Sequence, residues 1–228
     1  MPKPVERAAR SRSFSAAVED YLKAIFRLEE LLQGPVSTSA LAESLDVRAA
    51  SISGMLGKLD DLGLVDHVAY RGVSLSPEGR RAAVSVIRRH RLLELFLAEI
   101  LDVPWDEVHE EAEVLEHALS PRLCDLIANK LGNPDRDPHG DPIPGRIDDF
   151  VEPPTAPLGS TEIGATRHLV RVSDRDSWIL RALSASGIGL GTELVVLAHL
   201  DDGSISVAAN GRICTLEPDV VRAIRVET

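Results

Sequence analysis

The hydrophobic period changes twice within the first eighty residues, and this limits the fold more than any other feature. "SAAVEDYLKAIFRLEELLQG" carries Val18, Tyr21, Leu22, Ile25, Phe26, Leu28 and Leu32 at helical spacing and stops at Gly34-Pro35. "STSALAESLDV" opens on hydroxyl residues suited to capping and predicts a short second helix. "RAASISGMLGKLDDLGLV" places Ile52, Leu56, Leu59 and Leu62 on one stripe, a third helix. The period then falls to two. Val65, His67 or Val68, Val73 and Leu75 predict two short strands joined near Tyr70-Arg71-Gly72. Helix, short helix, turn, helix and a two-stranded wing is the winged helix-turn-helix order.

Helical spacing returns after Ser76-Pro77, with Pro77 at the first helical position and Glu78 in the first turn. One long helix, "EGRRAAVSVIRRHRLLELFLAEIL", is expected, then one beginning at Pro104 and one in "PRLCDLIANKLG". From Gly132 to about Ser160 the chain is rich in Pro, Gly and Asp and reads mostly as irregular connection. Five β-type runs follow, "HLVRVSD", "TELVVLAHL", "SISVAAN", "RICTLE" and "VRAIRVE", with a single helix in "SWILRALSASG". The fold class is therefore mainly α with small β. The expected domains are 1–76, a winged helix-turn-helix; 77–145, a helical domain; 146–161, a linker; and 162–228, a small SH3-like barrel.

Side chains near the start of the third helix would reach base edges if that helix lay in a major groove. They are Arg48, Ala49, Ala50, Ser51, Ser53 and Gly54, small or hydroxylic apart from Arg48. Lys58 further along, and Arg71 at the wing tip, are candidates for phosphate. A winged helix can also serve as a protein-interaction module, with Lys58 and Arg71 merely solvated. The formal net charge of −11 argues against nonspecific nucleic-acid binding, yet it is unevenly spread. Residues 1–80 carry −1, residues 81–150 carry −7 and residues 151–228 carry −3. No apolar run of about 18 residues exists to span a membrane. The start of the chain lacks a secretory apolar region and reads as a flexible arm. Cys124 and Cys214 have no paired spacing, so a reduced cytoplasm is the expected setting.

The acidic middle third contains "HEEAEVLEH", residues 109–117. On a helix, Glu113, Glu116 and His117 share a face, with His109 one turn earlier; Val114, Leu115 and Ala118 lie to another side and Glu110 and Glu111 face solvent. Three ligands from one helix do not close a coordination sphere. Partners are available in His90 and Glu94, four apart in "RRHRLLE", and in Asp20, at the edge of the first helix's apolar stripe. A solvated helix face explains Glu-x-x-Glu-His equally well, and spacing alone does not separate the two readings. Enzyme templates fit poorly. Zinc hydrolases of the His-Glu-x-x-His type need histidine at position 113, di-iron bundles need Glu-x-x-His, and no nucleophile elbow or phosphate loop is present.

The motifs "EDYLKAIFRLEE", "LVDHVAYRGVSLSPEGRRAA", "RRHRLLELFL", "VHEEAEVLEHALS" and "DPHGDPIPG", in that order, resemble the diphtheria toxin repressor family of metal-dependent transcriptional regulators over nearly the whole chain. The resemblance implies a primary metal site at Asp20, Glu113, Glu116 and His117. It implies an ancillary site at His90, Glu94 and His109, completed from the third domain by Asp174 or Asp176. Iron-responsive members carry methionine at the position of Asp20 and cysteine at that of Glu113. Hard carboxylates in both places suit manganese(II), which binds weakly by intrinsic affinity and is selected by ligand type. Iron(II), cobalt(II), zinc(II) and cadmium(II) are the other metals such ligands take in vitro. Compact two-domain manganese regulators have glutamate where this chain has Lys23, so a paired-metal site is not implied. Glutamine is frequent in the family where this chain has Gly54, so operator preference does not carry over.

The expectation is a homodimeric, non-enzymatic, manganese-activated repressor of metal-uptake genes, with double-stranded operator DNA as partner and up to two dimers per operator. "LLELFLAEIL" is expected to supply part of the dimer interface. The competing readings are an iron-responsive regulator of the same family, a metallohydrolase or other metalloprotein that binds no DNA, and a metal-independent winged-helix protein.

Overall fold

The computed structural model describes residues 14–68, 71–145, 150–151 and 153–228. Tyr70 of the expected wing tip, the arm up to residue 13 and residues 146–149 and 152 of the expected linker lie outside them. The chain divides into two compact units, 1–83 and 84–228.

The first unit begins with α1 (Ala16–Leu32), which buries Val18, Tyr21, Leu22, Ile25 and Phe26. Its stop is one residue earlier than Gly34 suggests: Gln33 takes the left-handed conformation, φ 51°, and its N–H donates to the Glu29 carbonyl. Ser37 caps α2 (Thr38–Leu45), its hydroxyl accepting from the Ala40 N–H at 3.2 Å. Replacing such a cap by alanine costs about 1 kcal/mol. α3 (Ala49–Asp61) buries only Ile52, Leu56 and Leu59. The wing is an antiparallel pair, β1 (Val65–Val68) and β2 (Gly72–Leu75), with Val65 opposite Leu75 and Val68 opposite Gly72. α1 packs on α2, α2 on α3, and the wing strands on α1 and α3. Gly72, at φ 113°, stands where a Cβ would lie 2.0 Å from the Val36 carbonyl oxygen, so only glycine fits there.

α4 (Pro77–Leu101) starts in the first unit and continues into the second. With α5 (Val108–Leu115) and α6 (Pro121–Lys130) it builds a core of Leu92, Leu93, Leu95, Leu97, Val108, Ala112 and Ile127. α5 begins at Val108, four residues after Pro104. One expectation fails in this region and another narrows. Leu92, Leu93, Leu95 and Leu97 lie in the subunit's own core, so of "LLELFLAEIL" Ile100 and Leu101 are the large apolar side chains left exposed for a partner. Val114 and Leu115, expected to pack, are exposed, as are Leu123 and Leu126 on α6.

The remainder is a six-stranded antiparallel sheet in the order β3-β8-β4-β5-β6-β7. Its strands are β3 (Ala156–Pro157), β4 (Thr166–Val172), β5 (Glu193–His199), β6 (Ile205–Ala209), β7 (Arg212–Leu216) and β8 (Ile224–Val226). α7 (Ser177–Ala185) and α8 (Pro218–Ala223) cover its core. The sequence gives five runs because β3 and the 3-10 turn Leu158–Ser160 fall inside the segment read as linker. "VRAIRVE" also divides: Pro218 and Asp219 start a short helix before β8, and an apolar run this short has no readable period. Trp105 packs against the sheet core and donates its indole N–H to Ser184 Oγ at 2.8 Å. Among the described residues no helix is long and apolar enough to cross a membrane.

Candidate metal centre and DNA-facing helix

His90 and Glu94 face inward from α4, 1% and 0% exposed. α5 brings His109 and Glu113 toward them, and the turn closing α5 carries Glu116 and His117. His90 engages carboxylates through both ring nitrogens, Nδ1 at 2.6 Å from Glu116 Oε2 and Nε2 at 2.9 Å from Glu94 Oε1. His109 Nδ1 lies 3.1 Å from Glu94 Oε1 and 2.8 Å from Asp174 Oδ2. Donor atoms of His90, Glu94, His109 and Asp174 thus fall within 4.8 Å of one another, as do those of His90, Glu113 and Glu116. Of the two aspartates considered after β4, Asp174 joins this group. Asp176 is the exposed residue before α7. His117 is half-buried, with Nε2 3.4 Å from Glu116 Oε1. Asp20 belongs to the other unit, half-buried on α1.

A third group was missed in the sequence. Glu94, Asp137 and His139 are all buried and bring donor atoms within the same 4.8 Å. Asp137 and His139 sit in "DPHGDPIPG", a motif whose lack of periodicity hid its packing. Asp137 Oδ1 accepts from the backbone N–H groups of His139 and Asp141, each at 2.9 Å, which folds the loop. His139 donates from Nε2 to the Trp105 carbonyl at 2.6 Å, and this leaves Nδ1 facing Glu94 Oε1 at 3.8 Å. The alternation of Asp, His and Asp between Pro and Gly was the available signal.

Burial opposes charge on these histidines, but the facing carboxylates outweigh it. His109 rises to about 9 through Asp174 and Glu94, His139 to about 9 through Glu94, Asp174 and Asp137, and His90 also rises, through Glu94, Asp174 and Glu116. Glu94, despite burial, is held well below the usual carboxylate range by His90, His109 and His139. Burial, with Asp141 and Glu94 nearby, pushes the Asp137 carboxyl well up.

The donors fit a divalent cation. Among the described residues, Glu94 Oε2 and His139 Nδ1 are buried without a hydrogen-bond partner, which native proteins rarely tolerate. Every donor in these groups is oxygen or imidazole nitrogen, and neither Cys124 nor Cys214 takes part.

In the first unit, Arg48, just before α3, and Ala49, Ala50, Ser51, Ser53, Gly54 and Lys58 on it face solvent, and Arg71 is exposed just before β2. A Cβ added at Gly54 or Gly57 would meet nothing within 4 Å.

Residues 13–73 match the family model described as the iron dependent repressor N-terminal DNA binding domain, and residues 76–145 match its metal binding and dimerisation domain. Residues 156–228 match the FeoA domain. The chain is 31% identical over 220 residues to the diphtheria toxin repressor of Corynebacterium glutamicum, covering 92% of this chain and 95% of that protein. It belongs to the diphtheria toxin repressor family. Members of this family are metal-dependent transcriptional repressors, not enzymes, so the metallohydrolase reading falls away. A second relative, the iron-dependent repressor IdeR of Mycobacterium tuberculosis, is 30% identical over 221 residues, 92% of this chain and 96% of its own. Among solved structures, a manganese-dependent transcriptional repressor in complex with manganese shares 46% identity and a TM-score of 0.86 over 92% of this chain and 99% of that one. The manganese regulator SloR shares 34% identity and a TM-score of 0.77 over 92% and 98%.

Proposed function

We propose that this family member is activated by manganese(II) and represses genes of metal uptake as a homodimer. The observation that carries the reading is the donor set: carboxylates and imidazoles without sulfur, including two buried donor atoms with no hydrogen-bond partner among the described residues. Oxygen-rich sites favour manganese(II) over softer competitors. The relatedness to a manganese-dependent repressor at 46% identity supports it.

Two ligand sets do the work in this reading. Asp20, Glu113, Glu116 and His117 form the primary one and tie α1 to the dimerisation domain. His90, Glu94, His109 and Asp174 form the ancillary one, extended by Asp137 and His139. A bound divalent cation supplies the positive charge these carboxylates face. The histidines release their protons as they become ligands, so affinity falls as pH drops. The exposed Val114, Leu115, Leu123 and Leu126 of α5 and α6 form the dimer surface. With α1 tied down, the two α3 helices sit at the separation of adjacent major grooves. Arg48, Ala50, Ser51, Ser53 and Gly54 then read bases, while Lys58 and Arg71 hold phosphate. DNA in turn tightens metal binding by linkage.

The iron-responsive reading is kept by the relatedness to IdeR. Gel shifts on a candidate uptake-gene operator, with manganese(II), anaerobic iron(II) or chelator, decide between them. Manganese(II) should give the shift at the lower free concentration, and Asp20→Ala should abolish the response without loss of helix content. A stronger response to iron(II) would overturn the manganese assignment. An unchanged midpoint in Asp20→Ala would overturn the primary set.

A further inference from the structure

The metal centre draws Asp174 from the segment after β4, whereas its other donors come from α4, α5 and the 137–141 loop, so something must hold β4 in place. Gly140, at φ 87°, stands where a Cβ would meet the Val170 carbonyl oxygen at 2.1 Å, so loop and strand touch backbone to backbone. The Val172 N–H donates to the His139 carbonyl at 2.9 Å. One carboxylate then joins the three segments. Asp141 Oδ1 accepts from Arg91 on α4 at 2.8 Å and from Arg171 on β4 at 2.7 Å. Arg91, buried beside His90 in the chain, also donates to the Pro142 carbonyl at 2.5 Å.

We infer that Asp141, Arg91 and Arg171 are positioning residues of the metal centre: they clamp β4 to α4 so that Asp174 reaches His109 and His90. The sheet domain is then a working wall of the ancillary site. This rests on the metal reading proposed above. Charge-paired guanidinium groups suit the task, since they fix direction as well as distance. Partners that orient ligands without touching metal are typically worth about 10- to 100-fold in affinity.

The test is manganese(II) titration of the full-length dimer, with free metal counted by electron paramagnetic resonance. Asp174→Ala defines which class of sites the sheet domain serves. Arg171→Ala should weaken that class roughly tenfold and spare the other, and Arg171→Lys should restore most of the loss. The double variant Arg171→Ala/Asp174→Ala should bind like Asp174→Ala alone, because Arg171 acts through Asp174. Should Arg171→Ala fail to fold, Arg171→Gln carries the same comparison. An equal loss in every class, no loss at all, or a further loss in the double variant overturns the inference. An Asp174→Ala protein indistinguishable from wild type overturns it together with the ancillary-site reading, whereas an effect of Asp174→Ala without one of Arg171→Ala overturns the clamp alone.

Discussion

The face of α3 and the interior between α4, α5 and the 137–141 loop are opposites in design. α3 exposes small and hydroxylic residues with few cations, and its only buried side chains are apolar. The interior buries His90, Glu94, Glu116, Asp137, His139 and Asp141 together. Removing charges from water costs several kcal/mol each unless they are well paired. A cluster of this density therefore tolerates little change, whereas an exposed helix face tolerates a great deal. In the reading proposed above, the buried cluster determines whether the protein is competent to bind DNA, and the α3 face determines which sequence it binds.

The strongest way to break that contrast is Glu94→Gln, which keeps the shape and removes the charge shared by two ligand groups. Manganese(II) affinity should fall by more than the ~10- to 100-fold that partners outside the coordination sphere are worth, with the helical circular dichroism of the protein retained. A binding curve like that of the wild type would show that the buried cluster is not what the metal responds to.

A smaller effect should appear in the metal-free protein as pH changes. His109 and His139 titrate near 9 when folded, against about 6.5 when unfolded. Their contribution to stability is fully present below about 6.5 and is lost as pH rises through about 9. His90 and Asp137, both raised, act in the same sense. The thermal midpoint without metal should therefore decline between pH 6.5 and 9.5, and a midpoint that climbs over that range contradicts the assignment.

The smallest effect on the molecule belongs to Gly54→Gln. The added side chain meets open space, and glutamine favours a helix over glycine by about 0.5 kcal/mol. Operator preference should change in a binding-site selection while manganese affinity stays the same. A loss of metal affinity would mean that the two regions are not separable.

How much of this could be read in the sequence follows from what each residue depends on. α1, α3 and α4 were legible because long apolar stripes have an unmistakable period. The clustering of His90, Glu94, His109 and the Glu113–His117 run was legible because donor side chains on one helix face keep a fixed spacing. Asp137 and His139 were not, since their position depends on a loop held by Asp137's own hydrogen bonds. Asp174 and Asp176 could not be told apart until β4 was seen to end at Val172 and α7 to begin at Ser177. The exposure of Val114 and Leu115 escaped the sequence for another reason: an exposed apolar surface, here proposed to meet a second subunit, has the same composition as a core.

Glu94 belongs both to the group with His90, His109 and Asp174 and to the group with Asp137 and His139. The donors of the proposed centre are therefore not equally free to change. A change at Glu94 alters both groups in one step, so it demands compensation in two places. Asp174 stands in one group only and arrives with the sheet domain. In the proposed reading, a change of that domain alters one ligand set and leaves the donors of the other in place.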